Sequence, residues 1–406
     1  MVPSIKAFFR SYKMAASFVI VELALAFCMV VVCSAFIMNS IERISVSSGV
    51  DDRHVVWIEY SDSDNDERGS NQKMSDANAD LLALSGVSGV HAVVQIQAVP
   101  LSGSASTARI IADLANPEFG IDDVNLYPST YNVVAALGLN LISGREFTPD
   151  DEVDYTIQTP PRGAALITSA LANRLWHGKS AVGQLIHDGS GTYSAVVVGV
   201  VEKAAKSSID DLVSSNDSVF FAVKPGFDYS LYAARILQGV DAGNVQLQMQ
   251  EALVALRGDR TFSHIGLLSK SIKEYFQSDY QVVLSLFAMI AIMLSISAIS
   301  VGALVSFCVH SRRRSFGIRR ALGATRGQLV RLILWESLSL VVVAIALGLV
   351  VTWVVSQVAV RQLQLEGFNP LHVAFGTGAV LLITVLSALL PALAFVRISP
   401  VKALYS

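Results

Sequence analysis

The chain has 406 residues, 52% of them hydrophobic and only 16% charged, with a formal net charge of −3. That balance excludes an ordinary soluble domain, in which about a quarter of residues are charged, and points to membrane-spanning segments. The three cysteines, Cys28, Cys33 and Cys308, all fall in apolar stretches, so the remaining sequence carries no disulfide framework.

In chain order, residues 1–14 carry Lys6, Arg10 and Lys13, and 15–38 form a first apolar stretch, TM1. It is long enough to cross a hydrocarbon core about 30 Å thick at about 1.5 Å per residue. It is also longer than the roughly 7–15-residue apolar region of a cleaved signal peptide, which predicts a retained anchor. Glu22 lies about two turns inside it, where an unpaired charge costs a few kcal/mol, so it is expected to snorkel or pair with a basic residue.

Residues 39–279 hold 17 basic and 30 acidic residues, a net of −13. His54–Tyr60 reads as a strand, Met74–Leu84 as a helix with Ser75 as N-cap, and His91–Val99 as an alternating strand. Residues of about 120–215 differ in texture: turns at Gly144, Pro149 and Asp150, a helix over Ser169–Leu175, and a very apolar strand over Ser194–Val201. The first pattern then returns, with a strand at Tyr232–Leu237, a helix at Val245–Leu256 ended by Gly258, and a strand at Phe262–Leu268. The expectation is two subdomains, the central one inserted between the halves of the first. The acidic run Ser61–Ser70 lacks the later Glu and the turn Gly of an EF-hand and reads as a solvated loop.

Three more apolar stretches follow: TM2 at 281–309, TM3 at 332–357 and TM4 at 373–396, separated by a loop at 310–331 and a short loop at 358–372, with a tail at 397–406. The loop at 310–331 contains seven arginines and no acid: Arg312, Arg313, Arg314, Arg319, Arg320, Arg326 and Arg331. With the two terminal segments it holds 12 of the 30 basic residues. Basic loops stay in the cytoplasm, so both termini are expected inside and 39–279 outside. Glu336 lies about one turn inside TM3 and is likewise expected to snorkel or pair with a nearby basic residue such as Arg331; for both Glu22 and Glu336 the alternative is a proton relay or a cation site.

The basic loop has its own local logic. Ser315–Leu322 can form a short helix that Gly323 ends in the left-handed conformation. Thr325 can cap the next helix, with Gln328 at the spacing of a capping box. Phe316, Ile318, Ala321 and Leu322 offer a small apolar face, and the arginines suit either acidic partners or lipid headgroups. In TM2, small residues recur four apart at Ala291 and Ser295, then at Ala298, Gly302 and Ser306, a spacing that lets helices approach closely within one chain or between two.

Catalysis has little support. His54, His91, His177, His187 and His264 form no pair at metal spacing, and no nucleophile motif stands out. No GxxxxGK[ST] loop occurs to cradle ATP phosphates, and an outer block of net −13 is unsuited to nucleic acid.

Several segments resemble the MacB/FtsX-type ABC transporter permeases. They are Arg312–Val330 (RRRSFGIRRALGATRGQLV) with the following RLILWESL, then Leu137–Asp151 (LGLNLISGREFTPDD), Ala165–Gln184 (ALITSALANRLWHGKSAVGQ), Val196–Val201 (VVVGVV) and the ISPVKAL tail within Pro391–Leu404. Departures are Ser315-Phe316, where an acidic residue commonly precedes the Gly-Ile, and a long linker at 152–162. The resemblance implies an α-helical membrane protein with four transmembrane helices and a large α+β extracytoplasmic domain made of two subdomains. It also implies an ATPase-coupling helix over Gly317, Ile318, Arg319, Arg320, Ala321, Leu322, Gly323, Ala324 and Thr325, and a dimer seam through TM1 and TM2 containing Ala291, Ser295, Ala298, Gly302 and Ser306. The chain would be a non-catalytic subunit of the bacterial inner membrane that binds no cofactor, ATP and Mg being held by separate cytoplasmic ABC ATPase subunits. Further implied partners are a second permease copy or paralogue, a periplasmic adaptor or outer-membrane channel, and membrane lipid. The implied function is export of a drug, peptide or lipid-linked substrate. The alternative is an FtsX-like mechanotransmitter that regulates a cell-wall hydrolase or sensor.

Overall fold

The computed structural model describes residues 13–62, 68–103, 106–154, 163–189, 194–209, 211–226, 230–363 and 369–396. The ISPVKAL tail, the first twelve residues, the middle of the Ser61–Ser70 run, most of the linker at 152–162 and part of the loop at 358–372 lie outside them.

In chain order the elements are α1 (Lys13–Ile44), β1 (Val55–Asp62), α2 (Ser70–Ser85), β2 (Val90–Gln95), β3 (Ser106–Ile111), β4 (Ile121–Ser129), α3 (Val133–Leu137), β5 (Leu141–Gly144), β6 (Gly163–Thr168), α4 (Ser169–Trp176), β7 (Leu185–Asp188), β8 (Ser194–Val201), β9 (Ser218–Ala222), β10 (Leu231–Ile236), α5 (Ala242–Leu256), β11 (Arg260–Leu267), α6 (Leu268–Tyr275), α7 (Gln277–Ser311), α8 (Arg313–Ala321), α9 (Arg326–Leu363) and α10 (Pro370–Val396). They fall into two compact units, residues 42–278 and residues 1–41 with 279–406.

The unit at 42–278 contains two sheets. The first is antiparallel in the order β11-β1-β10-β2. Both of its faces are covered, which explains why β1 opens with an unbroken apolar run, Val55–Ile58, rather than an alternating one. Val56, Ile58 and Tyr60 pack with Leu84 of α2 and Val245, Met249 and Leu253 of α5. Val55 and Trp57 point the other way and join a cluster with Tyr127, Leu166 and Phe220 of the second sheet. The two sheets therefore share one apolar core.

The second sheet runs β5-β8-β6-β9-β4-β3-β7, and β7 pairs again with β8. Six strands thus close into a ring with β5 attached to β8, which removes most of the exposed edge. The strands alternate between the ring's own core and the shared one. Ala165 and Ile167 pack with Val197, Val219 and Phe221, while Ala164, Leu166 and Phe220 face the first sheet.

Two helix limits differ from the sequence reading. α2 begins at Ser70, with Gly69 as a cap that lends no side chain, so Ser75 lies inside the helix rather than capping it. α5 starts after Asp241, whose carboxylate accepts from the Gly243 amide, and it is Arg257, in extended conformation, that ends it rather than Gly258. After β11, α6 is tied back to the sheet by a polar chain. Trp57 Nε1 donates to Ser271 Oγ (3.0 Å), and Ser271 Oγ lies 3.2 Å from His264 Nε2, with the His264 ring stacked on Trp57 at 3.8 Å.

The other unit is built from α1, α7, α9 and α10, four helices long and apolar enough to cross a membrane. Phe27 of α1 is fully buried and fits against two glycines. A Cβ at Gly348 of α9 would come within 2.7 Å of the Phe27 ring, and one at Gly376 of α10 within 2.6 Å of a Val31 methyl. In an apolar environment such close packing, rather than water exclusion, holds helices together.

Candidate functional site

The arginine-rich segment folds as a tight elbow. α8 follows α7 with one residue between them, Arg312, and runs to Ala321, with Leu322 as its C-cap. Gly323 has φ +95°, the left-handed conformation. Its amide donates to the Arg320 carbonyl (3.1 Å), and the Ala324 amide donates to Arg319 (3.0 Å). These two bonds form a Schellman stop, which satisfies carbonyls that a helix end otherwise leaves open. The next helix is capped in turn: the Thr325 amide donates to Gln328 Oε1 (3.0 Å) and the Gln328 amide to Thr325 Oγ1 (3.4 Å), a reciprocal capping box. That second helix is the first turns of α9, continuous with the third apolar segment.

The apolar face of the elbow is split. Phe316 is 5% exposed and packs with Val305, Cys308, Leu329 and Ile333 at the base of the helices. Ile318 and Leu322 are 48% and 83% exposed. Phe316 therefore anchors α8 and does not belong to an outward-facing surface, whereas Ile318 and Leu322 do. Gly317 and Ala321 lie along α8, Arg319, Gly323 and Thr325 are exposed, and Arg320 and Ala324 are half-buried.

Glu336 is paired, but with Arg312 and not with Arg331: Arg312 Nη1 lies 3.1 Å from Glu336 Oε1 and 3.4 Å from Oε2. Position 331 is five residues from 336 on one helix and points away, since side chains three or four apart are the neighbours. Arg312 arrives across the elbow. Both Glu22 carboxylate oxygens are buried and find no hydrogen-bond partner among the described residues.

The small residues of α7 divide as well. Ala291, Ser295 and Ser306 are exposed and Ala298 half-buried, whereas a Cβ on Gly302 would lie 3.7 Å from the Ser387 carbonyl of α10. Gly302 thus faces its own chain. Ile292, Ile296 and Ile299 surround the exposed residues with further apolar surface.

Among the described residues no group of three or more His, Cys, Asp or Glu side chains could hold a metal. His54 is paired with Asp51 at 2.8 Å. A buried polar knot sits between α2 and the first sheet. Asp80, 1% exposed, accepts from Tyr60, from Tyr232 (3.1 Å) and from Arg260 Nη2 (2.7 Å), and Arg260 lies over the Tyr60 ring at 4.4 Å. Burial, and then the Asp80 charge, push the Tyr60 hydroxyl far above its usual range. Arg260 Nη1 also donates to the Leu253 carbonyl (3.0 Å) and its Nε lies 3.6 Å from Asp62, so the knot ties α2, β1, β10, α5 and β11 together, as a structural role requires. No sequence motif announced it, because its members are scattered from β1 to β11.

Residues 19–256 match the MacB-like periplasmic core domain and residues 287–400 the FtsX-like permease C-terminal domain. No curated protein matches the sequence. Among solved structures, the periplasmic region of MacB from Actinobacillus actinomycetemcomitans is 17% identical, covering 58% of this chain and 98% of that one at a TM-score of 0.35. The extracellular domain of the noncanonic ABC-type transporter YknZ from Gram-positive bacteria is 16% identical, covering 52% and 100% at 0.33. The two family matches together span most of the chain in the order expected of a membrane subunit with a periplasmic domain, and the chain belongs to the MacB/FtsX-type ABC transporter permeases.

Proposed function

We propose that this chain is the permease subunit of a mechanotransmission complex, lying in a bacterial inner membrane with both termini in the cytoplasm. Its two sheets act as two subdomains of the periplasmic block. ATP and Mg are held by cytoplasmic ABC ATPase subunits, as membership of this permease family implies. The ATPase docks on the elbow at 317–325, and its closure displaces the elbow and, through α7, the segment at α6. A second permease copy packs along the exposed small residues of α7. The work is done on substrate in the periplasm, on a drug, peptide or lipid-linked molecule passed to an adaptor or outer-membrane channel.

The observation that carries this reading is the elbow itself. A helix with a Schellman stop and a reciprocally capped successor is rigid, it is anchored from below by Phe316, and it leaves Ile318 and Leu322 exposed beside arginines. A loop whose task was simply to hold the headgroup level needs none of that geometry. The test is affinity purification in mild detergent of the native chain beside Ile318→Asp/Leu322→Asp. The native chain should bring down an ABC ATPase and the variant should not. Equal recovery with both would overturn the docking site. Recovery of a cell-wall hydrolase with the native chain would favour the regulatory branch of the family over transport.

A further inference from the structure

The base of the elbow holds a feature separate from its docking face. Arg312 is the residue between α7 and α8, and Glu336 lies about three turns into α9. One guanidinium nitrogen reaches both carboxylate oxygens, at 3.1 and 3.4 Å. The Glu336 side chain is 8% exposed and that of Arg312 24%. Beside them lies a cavity of about 20 Å³, room for about one water, walled by Leu304, Cys308, Phe316, Ile333 and Leu340. The pair is thus flanked by apolar groups from α7, α8 and α9.

A pair in such a place is no aid to stability beyond what packed apolar side chains would give; what it adds is a fixed register. Once formed it does not open cheaply, because an unpaired charge against apolar walls costs several kcal/mol. The covalent path from α7 to α9 runs through the elbow residues 312–325, with Phe316 packed between the two helices along it. The ion pair closes the path into a loop. With it, α7, α8 and α9 form one body at this end. Without it, the start of α8 loses its charged tie to α9 while Phe316 stays packed, and an elbow pulled from outside yields further before α7 follows.

We infer that the Arg312–Glu336 pair is a clamp that positions the elbow, so that displacement of α8 passes into α7 rather than being lost in the loop. Both are positioning residues. The inference rests on the coupling reading above, in which α8 is what the ATPase moves.

The test uses the full chain in detergent with whatever ATPase copurifies, read by amide hydrogen exchange. Variants are Glu336→Gln, Arg312→Lys and the exchanged pair Arg312→Glu/Glu336→Arg. Without nucleotide, Glu336→Gln should speed exchange over Arg313–Leu322 by roughly tenfold, local opening being what exchange measures; unchanged exchange there overturns the clamp. With a non-hydrolysable ATP analogue, the native complex should change its exchange over Leu268–Tyr275. Glu336→Gln should keep the native ATPase stoichiometry and lose that response. Arg312→Lys should keep part of it, and the exchanged pair should restore it. A Glu336→Gln complex with the full nucleotide response overturns the inference, since a merely structural pair would leave the response intact. If the exchanged pair misfolds, Arg312→Lys decides: a response equal to that of Glu336→Gln counts against the charge pairing. If no ATPase accompanies the native chain, it is the coupling reading that fails, and the nucleotide-free measurement still decides whether the pair holds the elbow.

Discussion

Replacing Asp80 by Ala should be among the costliest single changes in the periplasmic unit. Its carboxylate, 1% exposed, accepts from Tyr60, Tyr232 and Arg260. The Arg260 side chain is equally buried, and beyond Asp80 its nearest acid is Asp62, at 3.6 Å. Removing one partner of a buried pair costs about 3–5 kcal/mol when the other charge stays behind uncompensated; Asp62 keeps part of the compensation for Arg260, so this loss falls at the lower end and the tyrosines add to it. Two tyrosine hydroxyls also lose their acceptor at about 1 kcal/mol or more each, although these losses overlap with the first. With a urea dependence of about 3 kcal/mol/M, a loss of 3–5 kcal/mol lowers the unfolding midpoint by about 1–2 M. The assay is a urea titration of the full chain in detergent, followed by pulsed amide exchange at Val55–Asp62. Asp241→Ala is the control, since that residue does no more than cap α5 and its loss is worth about 1 kcal/mol. A midpoint for Asp80→Ala no lower than that of Asp241→Ala would refute the claim that the knot bears on stability.

Two further outcomes follow from the geometry. Burial lowers the His264 pKa from its ordinary value of 6.5; the unfolded chain then binds the proton more readily, so stability falls as pH drops from about 6.5 through the folded value. Unfolding midpoints measured from pH 7.5 to 5 should therefore decline, His264→Gln should flatten the decline, and an unchanged slope in the variant would contradict the assignment. Gly323→Val meets nothing within 4 Å at its new Cβ, so its cost is confined to the φ of +95°. A β-branched residue there should lose about 1–3 kcal/mol of local stability, seen as faster exchange over Arg319–Gln328, and native exchange would show that the left-handed stop is dispensable.

What the sequence made legible follows from how local each feature is. The Gly323 stop and the Thr325–Gln328 capping box depend on residues within five of each other, so a short stretch suffices to infer them. The start of α2 was hidden because Ser70–Lys73 are polar and carry no apolar period, so the pattern surfaced only near Met74. The closing of the second sheet was hidden for a different reason. β7 is four residues long, and its pairing with β3, some seventy-five residues earlier, leaves no local trace. That Glu336 pairs with a basic residue is legible in the sequence; which one is not, because the fold brings Arg312 across a corner while proximity in sequence offers Arg331. Phe316 was assigned to the outward face by its apolar character, which cannot say which side of a one-turn offset will be covered.

The central claim is that the exposed tip of α8 touches an ABC ATPase in the cytoplasm. The most direct measurement places a photo-crosslinking amino acid at Leu322, 83% exposed, and in a second preparation at Leu82 of α2, 75% exposed, and illuminates intact cells. Position 322 should crosslink to an ABC ATPase and position 82 should not. Crosslinks from 322 to lipid alone, or to a periplasmic protein, would contradict the account.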